Sequence, residues 1–398
     1  MKDKRQLIVI ATILTDMIGL GIILPVLPIY VQQFGISTFT FGLLTSIFAL
    51  FSFIAGPILG TLSDKYGRRP ILILSIFGTA IGWYMFAMAQ SIWLIFLARA
   101  VDGATAGNIS VAQSYLTDIA TDHKDRIMKL SMISTCIGIG FIAGPAIGGL
   151  LSEFSQTLPF WVTAGIATVN GILAIFFLPE SIREKKKDLK IGWNPFKSIW
   201  YAISNIKYRT YILLIFFTTL AFESYHSSFF LYVSRQFGMS QASSGLLFSG
   251  IGILIALNQV VLMKHFWLKF FKPHKVQILT ASALILIFFG LSQFSMIPFL
   301  LTICLLGVTE GTLISMNSGE LSGVAQEHER GKIIGISHSL VALSQMIGPA
   351  VSGYAMDHHI RWPWMIASFW MVVVLGIIIV KNKQLKTSEV NLETGITY

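Results

Sequence analysis

Apolar runs of about twenty residues follow one another along almost the whole of this 398-residue chain, broken only by short polar stretches. A helix rises about 1.5 Å per residue, so each run is long enough to cross a hydrocarbon layer of roughly 30 Å. Inside such a layer every backbone N–H and C=O must find a partner within the chain, and unbroken apolar runs then select helices. Reading the runs between polar breaks gives twelve spans, at about 7–31, 40–62, 70–89, 93–117, 128–152, 159–179, 210–233, 243–264, 275–294, 297–320, 332–356 and 362–380. With 54% hydrophobic and only 12% charged residues, about half the charged fraction of soluble domains, the chain is expected to be an all-α integral membrane protein.

The formal net charge is +10, which in a soluble protein would point to nucleic acid. Here the cations fall in alternate loops: Lys2 to Arg5, Lys65 to Arg69, Lys124 to Lys129, Arg183 to Arg209, Lys264 to Lys275, Arg330 to Lys332 and the tail with Lys381, Lys383 and Lys386. The intervening loops hold only Arg235 and Arg361. That alternation excludes nucleic acid as a partner and places both termini in the cytoplasm. Cys136 and Cys304 both lie in apolar runs and read as two thiols. The first apolar run continues to Tyr30 without a small-residue cleavage pattern, so it reads as a retained helix.

The stretch from Ser181 to Tyr208 is longer than the other loops, with Arg183 to Lys187 followed by Trp193, Phe196, Ile199, Trp200 and Ile203. It is expected to be a linker whose aromatic part lies on the anionic inner leaflet. The halves on either side repeat. Phe34-Gly35-Ile-Ser37 returns 203 positions on as Phe237-Gly238-Met-Ser240, and Arg126 and Gly144-Pro145 return 204 positions on as Arg330 and Gly348-Pro349. The expected organisation is two pseudo-symmetric six-helix bundles, 1–182 and 210–385, joined by the 183–209 linker and followed by a 386–398 tail. A duplicated fold of this kind places its site between the halves and alternates access by rocking one on the other.

Between the second and third spans lies the island Gly60-Thr-Leu-Ser-Asp64-Lys65-Tyr-Gly67-Arg68-Arg69-Pro70. Its charges exclude it from hydrocarbon, its glycines permit a turn with positive φ, and Pro70 suits the first turn of a helix. This island resembles the cytoplasmic gating loop of the major facilitator superfamily. Three further motifs are similar to its twelve-helix drug:proton antiporter branch, which includes bacterial tetracycline efflux proteins: Asp16-Met-Ile-Gly19-Leu-Gly21 through Pro28 in the first span, Arg99-Ala-Val-Asp102-Gly103 with Gly107 in the fourth, and Gly140-Phe-Ile-Ala-Gly144-Pro145-Ala-Ile-Gly148-Gly149 in the fifth. The resemblance implies a monomeric multi-pass protein of the bacterial cell membrane that uses the proton gradient and no cofactor. It departs at the third and ninth spans, where the tetracycline proteins carry functional acids and this chain has none.

The candidate site residues are the ionisable groups within spans: Asp16, Arg99, Asp102, Glu223 with His226, and Glu310. Each charge near a bilayer centre costs roughly 2.5–3.5 kcal/mol on insertion scales, so these groups are expected to face a polar cavity or one another. Burial favours the protonated form of a carboxyl group, and competition between proton and substrate for it would couple inward proton flow to outward substrate flow. Arg99 and Asp102, three apart on one helix face, read equally as a structural pair, and His226 reads as a satisfied partner of Glu223. Asn108, Gln113, Asn258, Gln259, Asn317 and Gln345 are candidate cavity donors or interhelical hydrogen bonds. Trp83, Tyr84, Phe86, Phe222, Phe229, Phe230 and Met316 could line a pocket for lipophilic cations or face lipid. The small residues from Gly140 to Gly149 should let the fifth span approach the eighth closely.

In the gating loop, Asp64 is expected to meet the positive end of the eleventh span near Gly331, and Arg68 or Arg69 to pair with Asp118. The function that results is proton-coupled export of small amphipathic or cationic compounds. A transporter of one metabolite, siderophore or lipid, and a non-transporting sensor or scaffold, are the alternatives. No nucleophile, metal-ligand cluster or phosphate loop points to an enzyme, and Asp357-His358-His359 reads as a solvated loop.

Overall fold

A computed structural model of the protein describes residues 2–182, 195–293, 295–324 and 329–394. The helices in order are α1 (Lys2–Tyr30), α2 (Thr38–Tyr66), α3 (Arg68–Ala87), α4 (Ile92–Thr105), α5 (Asn108–Asp118), α6 (His123–Ser152), α7 (Leu158–Phe177), α8 (Pro195–Ser204), α9 (Ile206–Phe237), α10 (Gln241–Leu257), the single turn α11 (Leu268–Phe270), α12 (Pro273–Leu291), α13 (Met296–Val324), α14 (Arg330–His358) and α15 (Trp362–Thr394). Among the described residues there is no strand, and ten helices are long and apolar enough to cross a membrane. The linker residues from Arg183 to Trp193 lie outside the described residues; α8 follows, with Ile199 buried and Trp200 exposed.

Two expected spans depart from a plain α-helix. The fourth is cut between α4 and α5, where the Thr105 hydroxyl donates back to Val101 O and Asp102 O and the Gly107 amide donates to Thr105 O at 2.7 Å. Two glycines, Gly103 and Gly107, weaken the helix there and let neighbours in: a Cβ on Gly103 would lie 2.6 Å from Phe48 O, and one on Gly107 2.5 Å from Leu59. The eighth span continues from α10 as a π-helix, Asn258–Trp267. Buried Asn258 opens this stretch, donating to Val308 O and Thr312 Oγ1 and accepting from Trp267 Nε1 at 3.0 Å, while Gln259 donates to Gly311 O. These two amides are interhelical fasteners.

The repeated Phe-Gly-x-Ser motif is a turn with a physical reason. Gly35 and Gly238 hold nearly the same positive φ, 64° and 65°, a conformation that only glycine adopts without strain. Ser37 and Ser240 then cap the next helix, accepting from Thr40 N and Ser243 N.

The chain divides into two compact units, Met1–Pro195 with Phe229–Gly252, and Phe196–Ser228 with Ile253–Tyr398. In the first, the glycines of α6 face two ways. Gly140, Gly144 and Gly148, spaced four apart, lie against α1: a Cβ on Gly144 would sit 2.5 Å from Gly21 Cα, and one on Gly148 2.5 Å from Ile22 O. Pro145 and Gly149 lie instead against α10 at Gly245, Gln241 and Ala242. The close approach expected for the eighth span is thus only one face of the motif, and the longer stripe is committed to α1.

In the second unit the same positions, 204 residues on, are Ser344, Gly348 and Ser352. Their hydroxyls donate to carbonyls of α9, Ser344 to Phe216 O and Ser352 to Ser224 O, while a Cβ on Gly348 would sit 2.6 Å from the Cβ of Glu223. One crossing is held by glycine contact and its repeat by serine hydrogen bonds.

Two sequence expectations are corrected. α2 runs on through Asp64 and Lys65 to Tyr66, so Gly60 is helical and the turn narrows to Gly67, with φ 117°. Lys381, expected in a solvated tail, is 3% exposed because α15 continues past it and its ammonium meets Glu320 and Gln277.

Gly144→Val should lower the thermal unfolding midpoint of the purified protein, by overpacking worth about 1–3 kcal/mol. Gly138→Ala, on the same helix with open space beside it, should not lower the midpoint, since alanine favours a helix interior over glycine; tryptophan fluorescence on heating measures both.

Candidate functional site: a charged turn and two clusters of buried polar groups

At the turn, Arg68 reaches in three directions. Its guanidinium lies 2.5 Å from Asp64 and 3.2 Å from Asp118, and it donates to Ser63 Oγ at 2.6 Å. The side chain is 11% exposed, so this is a partly buried fork joining α2, α3 and α5, unlike an exposed pair of small worth. Ser181 Oγ also donates to Asp118. Arg68 thus takes the role expected of either arginine, whereas Arg69 donates to Ile175 O. The expected meeting of Asp64 with Gly331 falls outside the described side chains; Asp64 is taken by Arg68.

The turn depends on a residue that reading the sequence missed. Glu180, just past α7, accepts from the amides of Arg68, Arg69, Ser181 and Ile182 at 2.9–3.3 Å. It satisfies the open N–H groups at the start of α3 and meets the positive end of that helix. The same carboxylate fills the space where a Cβ at position 67 would go, which together with the positive φ explains Gly67. A helix that starts on Gly-Arg-Arg-Pro has no capping side chain of its own, and that lack was the available signal.

Asp16 of α1 lies beside Asn108, the first residue of α5, and within electrostatic reach of Asp102. The break between α4 and α5 therefore presents a helix start to an acid inside a membrane-spanning segment, an arrangement suited to negative charge. Asp102 lies beside Thr79, and its carboxylate is 3.6 Å from Arg99, beyond a hydrogen bond. Arg99 is 4% exposed, and its guanidinium stands over the Phe48 and Phe86 rings at 4.6 and 5.9 Å. Its charge is stabilised by aromatic faces as well as by Asp102. One cluster thus joins Asp16, Asn108, Asp102, Arg99 and Thr79 from four helices of the first unit.

In the second unit, Glu223, His226 and Glu310 line one cavity of about 220 Å³ with Phe222, Thr218 and Asn317. Glu310 is 3% exposed and accepts from Tyr225 Oη at 2.6 Å. Its other oxygen lies 3.3 Å from His226 Nε2. His226, read as a partner of Glu223 three residues before it, is within electrostatic reach of that acid and also meets Glu310 of α13. Glu223 lies beside Gln345. Tyr225, flanked in sequence by the titratable residues, carried no signal because a tyrosine in an aromatic-rich span reads as packing.

Of the candidate aromatics, Phe222 lines the cavity. Trp83 and Phe86 pack on Phe160, Tyr84 on Trp161, and Phe229 and Phe230 on Phe248. His358 stacks on Trp362, and among the described residues no cluster of His, Cys, Asp and Glu could hold a metal ion.

The family model of the Major Facilitator Superfamily matches residues 9–316 and 267–390, and the chain belongs to that superfamily of membrane transporters. It is 29% identical over 359 residues to tetracycline resistance protein, class C, of Escherichia coli, across 88% of this chain and 89% of that one. It is 26% identical to multidrug resistance protein 2 of Bacillus subtilis across 97% of both. Among solved structures, a bacterial homolog of the human lysosomal transporter Spinster superposes with a TM-score of 0.77 at 14% identity, covering 95% of this chain and 96% of that one. This likeness shows the fold.

Replacing Glu180 with Ala should leave the α3 amides open, at a cost of about 0.5–2 kcal/mol, and accelerate hydrogen exchange at Arg68 and Arg69. Glu153→Ala, at the far end of α6, should not change exchange there.

Proposed function

We propose that the protein is a proton-coupled antiporter that exports small amphipathic or cationic compounds by alternating access. The observation that carries this reading is the cavity that puts two carboxyl groups, Glu223 and Glu310, and the imidazole of His226 beside Phe222 within membrane-spanning helices. Acids in such a place are costly unless used, and a cation beside an aromatic face and a carboxylate is held by both. The efflux proteins to which the chain is similar support export as the direction.

In this mechanism a proton entering from outside neutralises Glu310, which Tyr225 and His226 hold in place. Loss of that proton to the cytoplasm restores the charge that attracts a cationic substrate, so one site serves both in turn. Each charge moved inward down 100 mV yields about 2.3 kcal/mol. Asp16, with Asn108 and Asp102, forms a second protonatable group in the first unit, and Arg99 sets the charge around it. The Arg68 fork to Asp64 and Asp118 latches the cytoplasmic face, where both termini lie by the distribution of basic loops. The glycines of α6 keep the membrane-spanning helices close enough to exclude a proton leak. The protein works as a monomer.

Purified protein in vesicles with an imposed pH gradient should respond to added cationic dyes by releasing protons. Glu310→Gln and Glu223→Gln should each reduce this response at least tenfold, and Asp16→Asn should weaken it. Unchanged proton release in all three variants would overturn the site assignment. A broad panel of cations that neither moved nor released protons would overturn export of cations.

A further inference from the structure

The cavity of the second unit is lined by two chemically different groups of side chains. Glu223, His226 and Glu310 mark one end. Thr218 and Asn317 mark the other, five residues along α9 from Glu223 and seven along α13 from Glu310, which at 1.5 Å per residue is about 7.5 and about 10.5 Å away. Ser318 lines the cavity near that end.

The far end is built to hold one hydroxyl in one orientation. Asn317 Nδ2 donates to Thr218 Oγ1 at 3.1 Å. Asn317 cannot turn round, because its Oδ1 accepts from Gln277 Nε2 at 3.0 Å. Gln277 is itself fully buried and fixed from its other side by Lys381 Nζ at 2.8 Å and by donation to Glu320 at 3.0 Å. A chain of hydrogen bonds from a buried ion pair therefore ends on the oxygen of Thr218.

With its oxygen occupied as an acceptor, Thr218 has its O–H left to give. Thr219 next to it donates to Ile215 O, four residues back, at 2.9 Å, the usual use of a helical threonine hydroxyl. Thr218 makes no such bond among the described residues, and it lines the cavity. A buried donor without an acceptor costs about 1–3 kcal/mol, which a ligand acceptor would recover.

On the reading of this cavity as the cation site, we infer that the preferred substrates are compact organic cations carrying an uncharged hydrogen-bond acceptor, such as a carbonyl or ether oxygen, one and a half to two helical turns from the charge. The volume of about 220 Å³ lies below the roughly 300–1,000 Å³ of drug-sized sites, which sets the scale of the part bound here. Thr218 is the specificity-determining residue, and Asn317, Gln277 and Lys381 position it.

The test uses a matched pair of quaternary ammonium compounds, one with an aryl ketone about 8–10 Å from the nitrogen and one with a methylene in place of the carbonyl. Binding to the purified full-length protein in lipid nanodiscs is measured by calorimetry. The ketone should bind the native protein roughly two- to tenfold more tightly than the methylene compound. Thr218→Val should bind the two compounds equally, with measurable binding of both showing that the variant is folded, and Thr218→Ser should restore the preference. If both cations bind the native protein equally, or if Thr218→Val keeps the preference, the inference is overturned while export of cations stands. If neither compound binds the native protein and no other cation does, cation export falls and the inference falls with it.

Discussion

A helix in hydrocarbon satisfies its own backbone, and so the burial of apolar surface that drives soluble folding no longer selects which helices meet. What remains is close packing and polar contact, and one crossing of this protein, α6 with α1, shows the first while its repeat, α14 with α9, shows the second. Glycines at 140, 144 and 148 let two backbones touch in the first crossing. In the second, Ser344 and Ser352 donate to the carbonyls of Phe216 and Ser224. The second solution keeps glycine only at 348, the one position that faces the Cβ of Glu223. A duplicated crossing has thus been reused to seat an acid.

The buried charges follow the same economy. In the first unit Asp16 and Asp102 lie beside Asn108 and Thr79, and Arg99 stands over two phenyl rings. In the second, Glu310 is held by Tyr225 and His226, and the ion pair of Lys381 with Glu320 anchors the amides that lead back to Thr218. Each unit keeps its ionisable groups by partners drawn from other helices, so substituting a single partner leaves a buried group exposed to a large desolvation cost.

Much of this was legible. The order of spans, the repeat and the turn at Gly67 follow from apolar length, from a displaced motif and from charges that hydrocarbon excludes. The list of intramembrane acids was equally plain, since few charges interrupt these runs. The partners in other helices were not: His226, three residues from Glu223, also meets Glu310, and Glu180 caps α3 from more than a hundred residues away. Lys381 looked like the start of a basic tail because nothing in the local pattern marks a helix that continues past it. The cut between α4 and α5 was hidden for a similar reason, as Ala106 and Gly107 are apolar and pass as span.

The sequence alone determined that this chain forms membrane-spanning helices in a repeated order with acids inside them, because hydrophobic length, helical rise and charge exclusion are properties of contiguous residues. It also identified which helix faces carry small side chains. The tertiary structure decided which neighbour each face meets, which acid shares a cavity with which base, and where the helices break. Those choices depend on contacts between residues far apart in the chain, and the strength of a buried polar contact is set by the few tenths of an ångström that only packing fixes.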